Sequence, residues 1–365
     1  MGMRALVAGS VVLLAGVVAC SSAGAATASL SRANAGRTAR AISEARSRKA
    51  SAAPKASTAS AGSATASTAT VTEGLCTAPA KYSALATQLS ADIKQGLSGR
   101  NGVHAVSVYD RVTGVSCLDN GSQHFDSASI VKAIIMAALL RWHQETGTPL
   151  SSWEKSEATQ MITQSDNDAA TDLWDELGMD NLQDFLNLAG MSETELGQDG
   201  QWGLTQVTAH DEMLLLKLLT APNSVLDAAS RAYQLSLMSQ VTSWESWGVT
   251  AGTPSGVTWH VKNGWLPDAT GWHINSIGTF SGDGKDYMIA VLSDNTDMND
   301  DEQYGINTIE DVARLVQRDL NNAALTGSGS SAAAARLAAA PNATSARPSS
   351  WAVVPALPTP NPTQG

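Results

Sequence analysis

The order of helical and strand-like segments constrains the fold of this chain most. Apolar spacing predicts a helix over residues 80–96, and alternating residues predict strands at Val103–Asp110 and Val115–Leu118. A mostly helical stretch follows, from Ser129 to about Met238. Three more strands and a last helix come after it, at Val257–Leu266, Gly271–Phe280, Asp286–Ser293 and residues 306–320. This order predicts an α+β fold, with a five-stranded antiparallel sheet flanked by N- and C-terminal helices and a separate all-helical lobe. We expect the active site in the cleft between them.

Composition divides the chain into four segments. Residues 1–19 carry Arg4 and then an apolar run that stops at Cys20, which is typical of a lipoprotein signal peptide. An ordinary leader cleaved near residue 25 is the alternative. Residues 20–75 are rich in Ala, Ser and Thr and predict a disordered tether, and residues 323–365 predict a disordered Ala/Ser/Pro-rich tail. The folded domain is therefore predicted to span residues 76–322.

The three cysteines support export. If Cys20 is lipidated, Cys76 and Cys117 remain, and an oxidising compartment favours a disulfide between them. Two unpaired buried thiols are the alternative. The sequence has no Cys or His cluster with metal-ligand spacing, so we expect no metal and no cofactor. We expect the protein on the outer face of the cytoplasmic membrane as a lipoprotein anchored through Cys20, or secreted.

Charge is unevenly distributed along the chain. Residues 76–325 carry 13 Lys and Arg against 32 Asp and Glu, a net charge of −19, whereas the flanks are basic. An acidic domain of this kind excludes nucleic acid as the expected partner. The basic residues of the tether fit either contact with anionic lipid headgroups or an ordinary solvated linker. We expect a monomer.

The first candidate motif is Ser129-Ile-Val-Lys132 at the start of a predicted apolar helix. Residues three apart on a helix share a face, so the Lys132 amine can reach the Ser129 hydroxyl. A serine hydroxyl is a weak nucleophile that needs a neighbouring base, and packing among apolar residues lowers the pKa of a lysine towards that task. The N-terminus of the helix also offers N–H groups to a developing oxyanion.

The second candidate motif is Ser165-Asp166-Asn167. Its functional interpretation is that Ser165 relays a proton to a leaving nitrogen, Asn167 holds a substrate carbonyl, and Asp166 is a buried brace for the loop. The alternative is a simple cap on a helical segment that ends at Gly178.

The third candidate motif is Lys262-Asn263-Gly264-Trp265 on a predicted strand. Alternation places Lys262 and Gly264 on one face of the strand. Lys262 can there supply a positive charge for a substrate carboxylate, and Gly264 has no side chain that would block the substrate. A peptide-like substrate can then lie along the strand, with the Trp265 N–H towards its carbonyl.

The three motifs in this order resemble the signature of the penicillin-recognising serine enzymes, in particular their class A β-lactamase branch, over about residues 80–322. The resemblance implies that Ser129 is acylated, Lys132 is the base and Ser165 is the proton relay. It also implies that Asn167, Lys262, Asn263, Gly264 and Trp265 bind substrate, with the N–H groups of Ser129 and Trp265 as the oxyanion hole. The expected substrates are β-lactams or the D-Ala-D-Ala peptides that they mimic.

The sequence departs from this family where the acyl-enzyme is hydrolysed. Class A β-lactamases carry a loop glutamate in a Glu-x-x-Leu-Asn setting that activates water. Here Glu193-x-x-Leu196 fits part of the pattern, but Gly197 replaces the asparagine. Glu193 is thus either the deacylation base or a surface acid. Without that base the chain is expected to form slow acyl-enzymes, or to act as a D,D-peptidase or transpeptidase on wall peptides. A non-hydrolytic wall-peptide-binding lipoprotein is the remaining alternative.

Overall fold

A computed structural model of the protein describes residues 70–268, 271–296 and 302–322. The strands are β1 Thr70–Glu73, β2 Cys76–Pro79, β3 Val103–Asp110, β4 Val115–Asp119, β5 Phe125–Asp126, β6 Gln206–Val207, β7 Thr258–Pro267, β8 Trp272–Gly282 and β9 Lys285–Thr296. The helices are α1 Ser83–Leu97, α2 Val131–Thr146, α3 Ser152–Thr163, α4 Asn167–Ala189, α5 Ala209–Thr220, α6 Ala228–Met238 and α7 Glu302–Asn322. The order of elements agrees with the α+β architecture predicted from the sequence.

The large sheet has seven antiparallel strands in the order β1-β2-β4-β3-β9-β8-β7. The five predicted strands are all present, and β1 and β2 extend the sheet at one edge. Strand β1 lies in the segment predicted to be a disordered tether, so that prediction is wrong for residues 70–75. The hairpin is held by backbone pairing from Thr70↔Pro79 to Glu73↔Cys76. Composition does not reveal it because its two four-residue strands carry no sustained apolar pattern.

A disulfide joins β2 to β4 and confirms the predicted pairing of Cys76 with Cys117. The two cysteines are also direct neighbours in the antiparallel register of these strands. The bond closes a loop with a sequence separation of 41 residues that contains α1 and β3. It therefore fixes the added edge of the sheet to its centre.

The central strands are buried on both faces. In β9, Ile289 and Val291 pack towards a core that includes α1 and α7, whereas Met288, Ala290 and Leu292 pack towards the helical lobe. This explains why the strand has a continuous apolar run rather than alternation. The terminal helices thus cover one face of the sheet, as predicted, and the helical lobe covers the other.

Helix α2 forms the centre of the lobe. All residues from Val131 to Leu140 are buried, including Lys132, so this part of the helix is enclosed around its whole circumference. The helical segment predicted to end at Gly178 does break there, because Gly178 adopts the non-helical φ and ψ of 69° and 162°. A second helical segment then follows within α4 and runs to Ala189.

The predicted leader, Cys20, most of the tether and the predicted tail lie outside the described residues. Within the described part of the chain, no helix has the length and apolar character needed to cross a membrane.

Candidate active site

Ser129 lies in a short 3-10 turn, Ala128–Ile130, directly before α2. Ser129 is buried, with 8% of its surface exposed. Ala128 has a φ of 47°, a left-handed conformation that costs energy for a residue with a side chain and that recurs at functional sites. Asn275 on β8 holds this segment, because its Nδ2 donates to the carbonyl oxygens of Asp126 (2.9 Å) and Ser127 (3.1 Å).

Strand β7 approaches Ser129 at Gly264. A Cβ atom at Gly264 would lie 2.7 Å from the Ser129 nitrogen, 2.8 Å from the Ile130 nitrogen and 2.9 Å from the Ser127 carbonyl oxygen. These are backbone atoms, so a side chain at position 264 does not fit. The absence of a side chain therefore brings the strand and its next residue, Trp265, against the turn that carries Ser129.

The amines of Lys132 and Lys262 meet at Ser165. Lys262 Nζ donates to Ser165 Oγ at 2.8 Å, and Lys132 Nζ lies 3.4 Å from the same oxygen. Lys132 Nζ also donates to the Ser165 carbonyl oxygen (2.6 Å) and to Asn167 Oδ1 (2.7 Å). The structure thus brings together residues from all three sequence motifs.

Burial dominates the electrostatics of the two lysines. Lys132 is 0% exposed and Lys262 is 1% exposed. Burial holds the pKa of Lys132 well below its usual range, and the charge of Lys262 lowers it further, whereas Glu245 and Asp166 act in the opposite direction. Burial also lowers the pKa of Lys262, and Glu245 again opposes it. A lysine with a lowered pKa is suited to act as a base.

The Ser165-Asp166-Asn167 loop is a helix start. Asp166 is the N-cap of α4, and its side chain accepts from the Ala169 N–H at 2.9 Å. The prediction of a buried brace is thus replaced by the simple cap that the sequence analysis left open. Ser165 has a φ of 56°, and this left-handed turn directs both its carbonyl and its hydroxyl oxygen towards Lys132.

The side chain of Asn263 does not join the lysine group, although its backbone carbonyl oxygen accepts from Lys262 Nζ at 2.8 Å. Its Nδ2 donates to the carbonyl oxygens of Glu245 (2.7 Å) and Trp247 (3.0 Å), and the residue is 1% exposed. Alternation along β7 explains this, because Lys262 and Gly264 face Ser129 while Asn263 faces the segment before β7. The structure therefore contradicts the prediction that the Asn263 side chain binds substrate.

Trp202 is a residue of the site that the sequence analysis missed. It is buried in a short turn, Trp202–Leu204, and its ring centre lies 4.8 Å from Lys132 Nζ. Its Nε1 donates to Thr171 Oγ1 on α4 at 3.1 Å. An aromatic face at this distance both attracts the ammonium form and shields the amine from water. Tryptophans are frequent in this half of the chain, so composition gave no reason to select this one.

Glu193 lies in a different cluster. Its carboxylate accepts from Ser122 Oγ (2.7 Å) and Thr208 Oγ1 (3.0 Å), and the first of these bonds contributes most to a lowered pKa. It also lies near His210 and Asp211, and the ligand atoms of these three residues fall within 4.8 Å of one another. Such a group is able to hold a metal ion, although hydrogen bonds already satisfy the Glu193 carboxylate. Among the described residues, the hydrogen bonds of the Glu193 carboxylate go to Ser122 and Thr208, and its role in deacylation stays a prediction.

Comparisons with known proteins bear on the family and the fold. The sequence model of the beta-lactamase enzyme family matches residues 155–320. No curated protein sequence matches the chain.

Several solved structures share the fold. A mutant of the class A β-lactamase of the last common ancestor of Gram-negative bacteria is 22% identical, with a TM-score of 0.55, covering 64% of this chain and 99% of that one. A β-lactamase from Sphaerobacter thermophilus is 19% identical, with a TM-score of 0.55, covering 64% and 97%. PBP-A is 21% identical, with a TM-score of 0.56, covering 65% and 97%. The family match and the shared fold together confirm that the chain resembles the penicillin-recognising serine enzymes.

Proposed function

We propose that the protein is a serine hydrolase that is acylated at Ser129 by β-lactam amides. The observation that carries the proposal is the buried pair of amines that share Ser165 beside the Ser129 turn. Burial lowers the pKa of Lys132, which suits this residue to act as the base. Lys132 takes the proton of Ser129 Oγ while that oxygen attacks the amide carbon. Ser165 passes a proton to the leaving nitrogen, and Lys262 attracts the substrate carboxylate.

The oxyanion that forms during attack needs donors in place. The N–H groups of Ser129 and Trp265 are the proposed donors, and the close approach at Gly264 supports this because it leaves no side chain between the two segments. Asn167 is the proposed ligand for the substrate amide, with its Oδ1 already held by Lys132.

A chromogenic cephalosporin tests this proposal. The full chain should release colour, and Ser129→Ala should release none above the background. Ser156→Ala, which removes an exposed hydroxyl on α3, is a matched control and should behave as the wild type. Equal colour release by the wild type and Ser129→Ala would exclude Ser129 as the nucleophile.

A second candidate function is a D,D-peptidase or transpeptidase on wall stem peptides. The contacts of Glu193 favour it, because its carboxylate accepts hydrogen bonds from Ser122 and Thr208 rather than from the residues around Ser129. Trp202, rather than a carboxylate, covers Lys132. This candidate predicts one equivalent of colour followed by a long-lived adduct, whereas a β-lactamase gives continuous release. Binding of wall peptide without any adduct would point to the non-hydrolytic alternative.

We also propose that the protein is exported and anchored through a lipid on Cys20. The Cys76–Cys117 disulfide supports an oxidising compartment. In an expressing bacterium the full chain should sediment with membranes, and Cys20→Ser should be released. Equal partitioning of both would contradict the anchor.

A further inference from the structure

The cover over the Lys132 amine comes partly from outside the helix that carries it. Lys132 Nζ has its acceptors at the start of α4, namely the Ser165 carbonyl oxygen (2.6 Å), Asn167 Oδ1 (2.7 Å) and Ser165 Oγ (3.4 Å). The ring of Trp202 lies over the same amine, with its centre 4.8 Å from Nζ. Lys132 is completely buried and Trp202 nearly so. The acceptors and the ring thus together keep water from the amine.

Two sets of hydrogen bonds hold the turn that carries Trp202. On one side, Trp202 Nε1 donates to Thr171 Oγ1 at 3.1 Å, and this hydroxyl donates to the Asn167 carbonyl oxygen at 3.0 Å. On the other side, the Ser127 N–H donates to the Thr205 carbonyl oxygen at 2.9 Å, and the Thr205 N–H donates to the Trp202 carbonyl oxygen at 3.1 Å. The indole is therefore joined both to the first turns of α4 and to the segment before the proposed nucleophile.

A ring in this position has two opposite effects on the Lys132 amine. Its electron-rich face attracts an ammonium group, which favours the protonated form. Its apolar body excludes water, which favours the neutral form because a charge is poorly solvated there. Burial is the largest of the causes that lower the pKa of Lys132. We therefore expect the exclusion of water to outweigh the attraction.

Charged groups also act on this amine from three other elements. Lys262 on β7 lowers the pKa of Lys132, whereas Glu245 in the turn before β7 and Asp166 at the cap of α4 raise it. Trp202 carries no charge. Its removal should therefore change the solvation of the amine while these three groups remain in place.

We propose that Trp202 is a positioning residue that keeps water from the Lys132 amine, so that this amine is neutral and able to take the proton of Ser129, and that Thr171 holds the ring in place. The use of Lys132 as a base rests on the proposed function, whereas the exclusion of water can be measured without any substrate.

Chemical modification of the lysines tests the exclusion of water. Reductive methylation of the full chain with formaldehyde and cyanoborohydride, followed by peptide mapping, should modify the exposed Lys155 on α3 and leave Lys132 unmodified. Trp202→Ala should lose this protection, because a cavity with polar groups beside the amine fills with water. Trp142→Ala, which removes an indole towards the other end of α2, is the matched control and should keep Lys132 protected. Equal protection of Lys132 in the wild type and Trp202→Ala would overturn the proposal.

Acylation measured across a range of pH gives a second test. Trp202→Ala should move the rise of the rate to higher pH by about one unit or more, because burial lowers a lysine pKa by up to about 3–5 units. The rate at the high-pH plateau should change far less, whereas a purely structural defect would lower the rate equally at every pH. Trp202→Phe, which keeps a ring over the amine, should restore most of the wild-type profile. A rise that moves to lower pH in Trp202→Ala would show that attraction of the ammonium group dominates, and would overturn the proposal.

Thr171→Val tests the part of the hydroxyl. It removes the acceptor of the indole N–H at nearly constant shape, and it keeps the proposal testable if Trp202→Ala does not fold. The pH profile should move in the same direction as in Trp202→Ala by a smaller amount. An unchanged profile would overturn the role given to Thr171.

The two measurements separate this proposal from the proposed function. A wild type that forms no adduct, but in which Trp202→Ala exposes Lys132 to methylation, refutes the proposed function alone. A wild type that is acylated, with Lys132 protected and the pH profile unchanged in Trp202→Ala, refutes the role of Trp202 alone.

Discussion

Replacing Gly264 by alanine tests whether the close approach of β7 to Ser129 is needed for acylation. The added methyl would meet three backbone atoms of the Ser129 turn at 2.7 to 2.9 Å, and real Cβ contacts stay above 3.0 Å. The strand or the turn must therefore move by a few tenths of an ångström. Overpacking of this kind costs about 1–3 kcal/mol, whereas alanine regains only about 0.4–1 kcal/mol through the unfolded state. The net effect is destabilising.

The effect on acylation should exceed the effect on stability. Moving one oxyanion donor out of place costs about 10²–10³ in rate, so Gly264→Ala should slow adduct formation at least about a hundredfold. The melting temperature should fall by about 2–4 °C for each kcal/mol lost. Gly203→Ala is the matched control, since its Cβ would meet no atom within 4 Å. Stopped-flow acylation and thermal unfolding measure both effects. A Gly264→Ala variant that is acylated at the wild-type rate would refute the reasoning.

Three further outcomes are expected. The acylation rate should rise with pH as Lys132 loses its proton, with a midpoint well below the usual lysine pKa, and a rate independent of pH between 5 and 10 would contradict a lysine base. Replacing Cys76 and Cys117 by alanine should lower the free energy of unfolding in urea by about 2–4 kcal/mol, because the bond closes a long loop; an unchanged midpoint would contradict this. Asn275→Ala should slow acylation while leaving the substrate KM nearly unchanged, because it releases the carbonyl oxygens of Asp126 and Ser127 in the segment before Ser129. A changed KM with a normal kcat would argue against that role.

The fold could be predicted from the sequence because the apolar patterns that mark helices and strands are local. The alternation of Val103–Asp110 gave that strand with its observed bounds, and helix and strand order gave the two-lobed plan. The edge hairpin was missed because Thr70–Glu73 is held by backbone pairing and lacks an apolar pattern. The helix end predicted at Gly178 corresponds to a non-helical break, but a glycine does not show that a second helical segment follows directly after it.

Spacing along one element was enough to place some predicted residues near one another. Ser129 lies in the turn directly before the helix that carries Lys132, and Lys262 and Gly264 alternate on one strand. Contacts between distant segments were not predictable in this way. Trp202 covers Lys132 from another loop, and Asn263 turns to Glu245 from the opposite face of β7. Glu193 was selected for its local pattern, but Ser122 and Thr208 hold it in a separate cluster.

The most direct test of the central claim is the mass of the intact protein after incubation with a penicillin, followed by peptide mapping of the modified residue. The account predicts an increase equal to one ring-opened penicillin, located on Ser129 and absent in Ser129→Ala. No mass increase in the wild type, or an adduct that persists in Ser129→Ala, would contradict it.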